Sequence, residues 1–238
     1  MKYRLLFAGV ILVAFGSCRF VEGQRVKGNG NIKSEQRSVS GFTGVETHGS
    51  IDLELTPGEY KVIVESDENI VPEIVTEVVN GHLLVHFKDN FTSFSYSSAK
   101  VKITAPSLNA FEVHGSGNIS GNGVFSNNEE TLVKVSGSGD IKLDLHSPAI
   151  HSETNGSGNV TLAGETKDFS TSISGSGDVH AFDLKAENVK TSTHGSGNTE
   201  IYAAIRLESG IFGSGDVAYK GSPQVSSEVH GSGSLSHE

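Results

Sequence analysis

The chain has 238 residues, of which 35% are hydrophobic and 29 are glycine, and it contains one cysteine and no tryptophan. This length allows one domain, or at most two, with a buried core, and the abundance of Gly, Ser and β-branched residues favours short strands over long helices. A single cysteine excludes intramolecular disulfides. The formal net charge of −10 argues against nucleic acid as a partner.

The N-terminus carries an export signal. A basic start followed by an apolar run from Leu5 to Phe15 predicts a signal peptide over residues 1–17, too short to span a bilayer. Cys18 follows directly, where a bacterial lipoprotein peptidase would leave a lipid-modified cysteine. We therefore expect a membrane partner through an N-terminal lipid anchor, with ordinary signal cleavage as the alternative. Cleavage would remove Lys2 and Arg4 and leave a formal net charge of −12.

The remainder divides into a short linker and one domain. We predict the linker over residues 18–30 and the domain over residues 31–238. Within the domain, residues 31–110 alternate apolar and polar residues between turn signals, which indicates the strands of an atypical N-terminal capping region. One helix candidate, Glu73–Val78, follows a proline in this region.

Residues 111–238 contain a repeat. A Gly-Ser-Gly triplet recurs about every 19 residues, and apolar residues occupy every second position on either side of each triplet. A period of about 19 residues accommodates two or three short strands but no helix. The pattern predicts an all-β fold, a single-stranded parallel β-helix of about 19-residue coils, with right-handed winding favoured. A coil of two repeats, about 38 residues, is the alternative. The triplets begin at Gly115, Gly137, Gly156, Gly175, Gly195, Gly213 and Gly231.

Each triplet marks a corner of the predicted coil. Glycine permits positive φ angles and the close approach of stacked backbones, which a Cβ would obstruct. The residue after the triplet alternates between Asn and Asp and ends at Ser234. Alternation separates the carboxylates and gives each an amide donor, so we predict an Asn/Asp ladder along one edge. The predicted turn and ladder residues are Gly115, Gly117, Asn118, Gly137, Gly139, Asp140, Gly156, Gly158, Asn159, Gly175, Gly177, Asp178, Gly195, Gly197, Asn198, Gly213, Gly215 and Asp216.

Three segments and the serial triplets carry a family resemblance. The segments are "SVSGFTGVETHGSIDLEL", "VESDENIVPEIVTEVVNGHLLV" and "VKITAPSLNAFEVHGSGNI". With the triplets, they are similar to the putative autotransporter adhesin, head GIN domain family over roughly residues 30 to 235. The resemblance implies a β-helix in a secreted or lipid-anchored protein of Bacteroidota and carries over no catalytic motif. It leads us to expect a Gram-negative cell-envelope protein, an outer-membrane lipoprotein on the periplasmic or surface face.

Metal and catalytic sites are not expected. Calcium-binding β-roll repeats recur every nine residues with an Asp in each, unlike the interval of about 19 residues found here. We place His114, His194 and His230 at one position of alternate coils, about 9–10 Å apart, too far for a shared metal ion. The acidic residues form no recognisable catalytic motif. We predict no metal, cofactor or catalytic residues.

The predicted function is that of a non-catalytic cell-envelope protein. A flat, acidic surface rich in Ser, Thr and Asn suits weak polar contacts, so we expect an adhesin or binding module for a glycan or a protein. A structural envelope scaffold is one alternative. A polysaccharide lyase or hydrolase built on a β-helix is another.

Overall fold

The computed structural model describes residues 24–88 and 91–238. The predicted signal peptide and Cys18 lie outside these residues. The described part forms strands throughout, with one 3₁₀ turn at Val71–Glu73. The strands are β1 (Gln24–Lys27), β2 (Ile32–Arg37), β3 (Gly44–Gly49), β4 (Asp52–Pro57), β5 (Lys61–Asp67), β6 (Ile74–Val79), β7 (His82–Phe87), β8 (Phe91–Ser95), β9 (Ala99–Ala105), β10 (Ala110–Gly115), β11 (Ile119–Ser126), β12 (Thr131–Gly137), β13 (Ile141–Gly156), β14 (Val160–Gly175), β15 (Val179–Gly195), β16 (Thr199–Gly213), β17 (Val217–Lys220), β18 (Gln224–Gly231) and β19 (Leu235–His237).

The repeat region is a β-solenoid of parallel strands with about seven turns. The long strand β13 pairs with β11 through residues 141–146 and with β12 through residues 150–156, so each coil has two legs. Successive triplets lie in direct register, as Gly137 does with Gly156. The predicted parallel β-helix with one repeat per coil is confirmed, and the alternative coil of two repeats is wrong.

The two legs of each coil build two sheets. Sheet A contains the strand segments that follow each Gly-Ser-Gly corner, such as residues 141–146 of β13. Sheet B contains the segments that precede each corner, such as residues 150–156 of β13. At the N-terminal end, β9, β5 and β2 extend sheet A beyond β4, while β7 and β6 extend sheet B beyond β3. Of these added strands, β9 and β7 run parallel to their solenoid neighbours and the others pair antiparallel. They cover the N-terminal end of the stack.

The core lies between the two sheets and runs along the whole solenoid. On sheet A, one buried residue per coil stacks in register, and it is aliphatic except at Thr199. β-Branched residues suit this position because they pack well on a pleated surface. The members of this column include Ile119, Ile141, Val160 and Val179.

On sheet B, one core column becomes polar. Val133 is followed in register by Ser152, Thr171, Thr191 and Ser209, all of them buried. These short side chains fill the narrow space between the sheets, but each buries a hydroxyl group that needs a hydrogen-bond partner.

The N-terminal region differs from expectation in two respects. The helix predicted for Glu73–Val78 is wrong, because the β-branched run Ile74–Val79 forms β6 and pairs antiparallel with β7. In addition, β3 and β4 lie within the predicted capping region, yet they belong to the coil stack, since Gly49 is in register with Gly115. Within the predicted linker, β1 pairs in parallel with β8. No helix of the described residues is long and apolar enough to cross a membrane.

Candidate ligand-binding surface

The glycine corners bring successive backbones into contact. The first glycines of the seven triplets have φ angles from 131° to 155°, a range that side chains rarely adopt. The second glycines have ordinary φ angles but no space, because a Cβ on Gly139 would lie 1.9 Å from the carbonyl oxygen of Gly117. Both glycines are therefore required by the stacking of the coils.

A continuous chain of hydrogen bonds follows the triplets. Asn159 donates its backbone N–H and its side-chain amide to the carboxylate of Asp140, at 2.8 and 3.0 Å. Its own side-chain oxygen accepts the backbone N–H of Asp178 at 3.1 Å. The same pattern repeats along the edge. In stacking order, the ladder residues are Asp52, Asn118, Asp140, Asn159, Asp178, Asn198, Asp216 and Ser234.

The first residue of this ladder, Asp52, was not part of the ladder predicted from the sequence. Asp52 accepts the backbone and side-chain N–H groups of Asn118, both at 2.9 Å. The signal was the degenerate corner His48-Gly49-Ser50-Ile51-Asp52, in which Ile51 takes the place of the second glycine. Because every Asp in the ladder is bonded to the next coil, this edge has little capacity left for a ligand, and we regard it as structural.

On sheet B, aromatic rings stack at the position that directly precedes the triplet in the last coils. The rings of His194 and Phe212 have centroids 4.7 Å apart and planes inclined by 13°, and Phe212 and His230 are 5.4 Å apart at 12°. The predicted placement of the histidines in alternate coils is wrong for His114, which is four coils from His194. His114 instead lies beside His48, with centroids 4.9 Å apart.

Phe212, the middle ring of the stack, lines a groove on the outer face of sheet B. This groove, which we call the aromatic groove, has a volume of about 300 Å³ and is lined by Lys190, Glu208, Phe212, Ser226 and Glu228 among others. Gly210 lies in register between Ser192 and Glu228, and a Cβ there would approach the Phe212 ring to 3.1 Å. The missing side chain lets the ring lie along the sheet, where Phe212 remains 38% exposed.

A cluster of imidazoles and carboxylates occupies the other end of sheet B. Neighbouring strands β7, β3 and β10 bring together His82, Glu46, His48, Glu112 and His114, which we call the His/Glu cluster. His48 Nε2 lies 2.5 Å from Glu46 Oε1, and His114 Nε2 lies 3.5 Å from both Glu46 Oε1 and Glu112 Oε2. This grouping was not predicted, although the motif Glu-x-His at residues 46–48 and 112–114 signals it in the sequence.

A polar groove of about 490 Å³ lies where sheet A meets its N-terminal extension. Its ionic groups are largely paired. Lys102 Nζ lies 2.9 Å from Glu65 Oε2, and this hydrogen bond holds the pKa of Glu65 below its usual value. Glu54 bonds Lys100 at 2.6 Å and raises the pKa of that ammonium group. The aromatic groove differs from this groove in having an exposed aromatic ring, that of Phe212, in its lining.

Comparison with known proteins identifies the family. A family model described as "Putative auto-transporter adhesin, head GIN domain" matches residues 41–223. The chain belongs to this family. Head GIN domain membership confirms the resemblance seen in the sequence, and it indicates an extracellular or cell-envelope protein with the character of a binding module. No curated protein matches the chain.

Solved structures similar to this head GIN domain protein include three from Parabacteroides distasonis and Bacteroides fragilis. A "putative lipid binding protein" from Parabacteroides distasonis is 25% identical, with a TM-score of 0.77. A "putative adhesin" from the same species is 27% identical, with a TM-score of 0.69. A "putative adhesin" from Bacteroides fragilis is 20% identical with a TM-score of 0.83 and supports the fold alone. Each alignment covers 90% of this chain and 100% of the other.

Proposed function

We propose that this protein is a non-catalytic, adhesin-type binding module of the cell envelope whose ligand is a glycan held in the aromatic groove. The observation that carries the proposal is the ring stack of His194, Phe212 and His230. His230 ends the stack, and its side chain is 60% exposed. The apolar C–H face of a sugar ring can pack on the exposed parts of these rings beside the groove.

Polar groups near the rings can form the hydrogen bonds that glycan recognition also requires. Lys190 and Glu208 lie in register on neighbouring strands, with Ser226 next to Glu208. An ammonium group, a carboxylate and a hydroxyl provide the donors and acceptors that orient sugar hydroxyls. The net charge of −10 disfavours polyanionic glycans, so the proposed ligand is neutral or basic.

A glycan array probed with the purified protein tests this function. We expect retention on neutral or amino-sugar glycans, and Phe212→Ala should weaken binding at least about tenfold. Tyr202→Ala is a matched control, because Tyr202 is also a partly exposed aromatic residue but contacts Lys185 away from the groove. Equal binding by the two variants would exclude the aromatic groove.

Other outcomes would replace the proposal. Complete absence of glycan binding, with loss of envelope integrity when the protein is deleted, would favour a structural scaffold. Binding to glycan-free lipid vesicles that is unaffected by Phe212→Ala would favour a lipid ligand, as named for the Parabacteroides distasonis structure of 25% identity. Release of unsaturated sugar products from a polysaccharide would show an enzyme instead.

We also propose that a lipid on Cys18 attaches the protein to the membrane. The proposal rests on the position of this single cysteine directly after the predicted signal peptide, residues 1–17. Metabolic lipid labelling should be lost in Cys18→Ala, and protease treatment of intact cells would distinguish the surface from the periplasmic face. Labelling that persists in Cys18→Ala would contradict the anchor.

A further inference from the structure

The His/Glu cluster on sheet B has the composition and spacing of a metal site. We infer that it binds a divalent transition-metal ion of the zinc type, with Glu46, His48 and His114 as the ligands. This inference is independent of the proposed glycan binding, which uses the opposite end of the sheet. It also departs from the sequence-based expectation, which placed His114 in one column with His194 and His230 and predicted no metal site.

Strand register creates the ligand set. β3 and β10 pair so that Glu46 lies opposite Glu112 and His48 lies opposite His114. Each strand carries the motif Glu-x-His, and residues two apart in a strand point to the same face. Two stacked copies of the motif therefore place two imidazoles and two carboxylates on one patch of the outer surface.

The distances suit a small ion. The ligand atoms of Glu46, His48 and His114 all lie within 4.8 Å of one another. Tetrahedral zinc with bonds of about 2.1 Å separates its ligand atoms by roughly 3.4 Å. His114 Nε2 is 3.5 Å from Glu46 Oε1, close to that value. His48 Nε2 is 2.5 Å from the same oxygen, so a side-chain shift of about 1 Å would open the hydrogen bond to metal-binding distance.

Two further side chains, His82 and Glu112, border the three ligands. The ring of His82 lies over Gly44, where a Cβ would meet the imidazole at 2.8 Å. Because Gly44 has no side chain, His82 reaches across β3, and its Nδ1 lies 3.5 Å from Glu112 Oε1. Glu112 Oε2 lies 3.5 Å from His114 Nε2, so this carboxylate borders the proposed ion and adds negative charge beside it.

Electrostatics favour a cation at this position. Glu46 and Glu112 are directly opposite each other on paired strands, an arrangement of like charges that is destabilising without a counter-charge. Both carboxylates are mostly shielded from solvent, with side chains 24% and 14% exposed. The metal is of the zinc class because imidazole with carboxylate suits zinc, copper or nickel, whereas calcium prefers oxygen ligands alone.

The chain contains its own negative control. A third Glu-x-His motif, Glu228 and His230, lies on the same sheet, with His230 Nε2 2.6 Å from Glu228 Oε1. Its neighbours in register are Gly210 and Phe212, which supply no ligand atoms. One isolated motif therefore offers only two ligands, and we expect it to bind metal far more weakly.

Calorimetric titration of the chelator-treated protein with Zn²⁺ tests the site, using protein purified without a histidine tag. We expect one ion per chain in the wild type, and His48→Gln or His114→Gln should lower the affinity at least about tenfold. His230→Gln should titrate like the wild type. Thermal melts without metal verify that each variant is folded, and Glu46→Gln provides a second test at the carboxylate.

Three results would overturn the inference. The first is that the wild type binds no Zn²⁺ above the background of the protein's other histidines. The second is that His48→Gln, His114→Gln and Glu46→Gln all bind as the wild type does. A parallel titration in which Ca²⁺ competes equally with Zn²⁺ would also contradict the assignment, because it would indicate an oxygen-only site.

Discussion

Asn159 donates both its backbone N–H and its side-chain amide to one carboxylate oxygen of Asp140, at 2.8 and 3.0 Å. The bonds join neighbouring coils of the stack. Since Asp cannot donate from an ionised side chain, two neighbouring acidic rungs could not form these side-chain bonds. The alternation of Asn and Asp keeps every acidic rung beside a neutral donor.

Replacing a neutral rung with an acidic one should destabilise the solenoid. In Asn159→Asp, three carboxylates would follow one another at the coil spacing of about 4.8 Å, and the donor to Asp140 would be lost. Repulsion at this distance is worth about 1–3 kcal/mol in a partly screened environment. We expect the melting temperature to fall by several degrees at low salt and to recover partly at high salt.

Asn155→Asp is the matched control for this prediction. Asn155 lies in the same corner but is stacked between Ser136 and Ser174, so the added charge meets no acidic rung. Its melting temperature should change by about a degree or less and should depend little on salt. Equal effects of the two substitutions would mean that the ladder does not contribute to stability.

The second glycine of a triplet should be intolerant of any side chain. Gly139→Ala would place a methyl group against the carbonyl oxygen of Gly117. The methyl group is fixed to one backbone and the oxygen to the next, so the clash can be relieved only by separating the coils. We expect a loss above about 4 kcal/mol, or no soluble folded protein. Ser138→Ala, one residue away and exposed, should be neutral. Thermal melts followed by circular dichroism compare the two, and a stable Gly139→Ala would show that the coils can separate.

A buried threonine beside the polar core column, Thr193, offers a stabilising substitution; it lies in register between Ile173 and Ile211. The hydroxyl of Thr193 is buried and has no hydrogen-bond partner among the residues that the structure describes. Thr193→Val keeps the shape of the side chain and removes the unpaired group, so the free energy of unfolding should rise by about 1 kcal/mol.

The neighbouring Thr191 should respond in the opposite direction. Its hydroxyl donates to Ser209 Oγ at 2.9 Å, and Thr191→Val would leave the buried Ser209 without that bond. We expect its free energy of unfolding to fall by about 1 kcal/mol. Denaturant titration of both variants measures the difference, and a shift of the same sign in both would contradict this account.

A buried carboxylate should make the N-terminal cap sensitive to acid. Asp67 is fully buried and accepts hydrogen bonds from the backbone of Ser97 at 2.7 Å and of Gly30 at 2.5 Å. The bond from Ser97 is the main reason that the pKa of Asp67 lies below its usual value, and burial opposes it. The ionised form is therefore favoured by folding, so its stabilisation is present above the unfolded pKa of about 3.9 and is lost as the pH falls below it.

Asp67→Asn tests this dependence. At pH 7 the variant should melt at a lower temperature than the wild type, because an amide cannot accept all of these N–H bonds. As the pH falls below about 4 towards the lowered pKa of Asp67, the wild type should lose stability faster, so that the two melting temperatures approach each other. A constant difference in melting temperature over this range would show that Asp67 does not titrate with folding.

The repeat region could be predicted in detail because its determinants are local. Corner residues such as Gly139 and Asn159 have counterparts in every repeat, and so short a period leaves few ways to stack strands. The same argument failed for Ile74–Val79, where β-branched residues after Pro72 form a strand because β7 lies beside them. A short segment that follows a proline does not reveal which neighbour it will meet.

Sequence alone determined the coil length, the glycine corners and the alternating ladder, since each depends on residues that repeat at a nearly constant spacing. Tertiary structure decided which coils are neighbours across the break in the repeat. The segment 58–109 separates the corner at Gly49 from that at Gly115, yet the two stack directly. That contact pairs His48 with His114 and Glu46 with Glu112, and it could not be inferred from spacing because the intervening strands fold back to cap the stack.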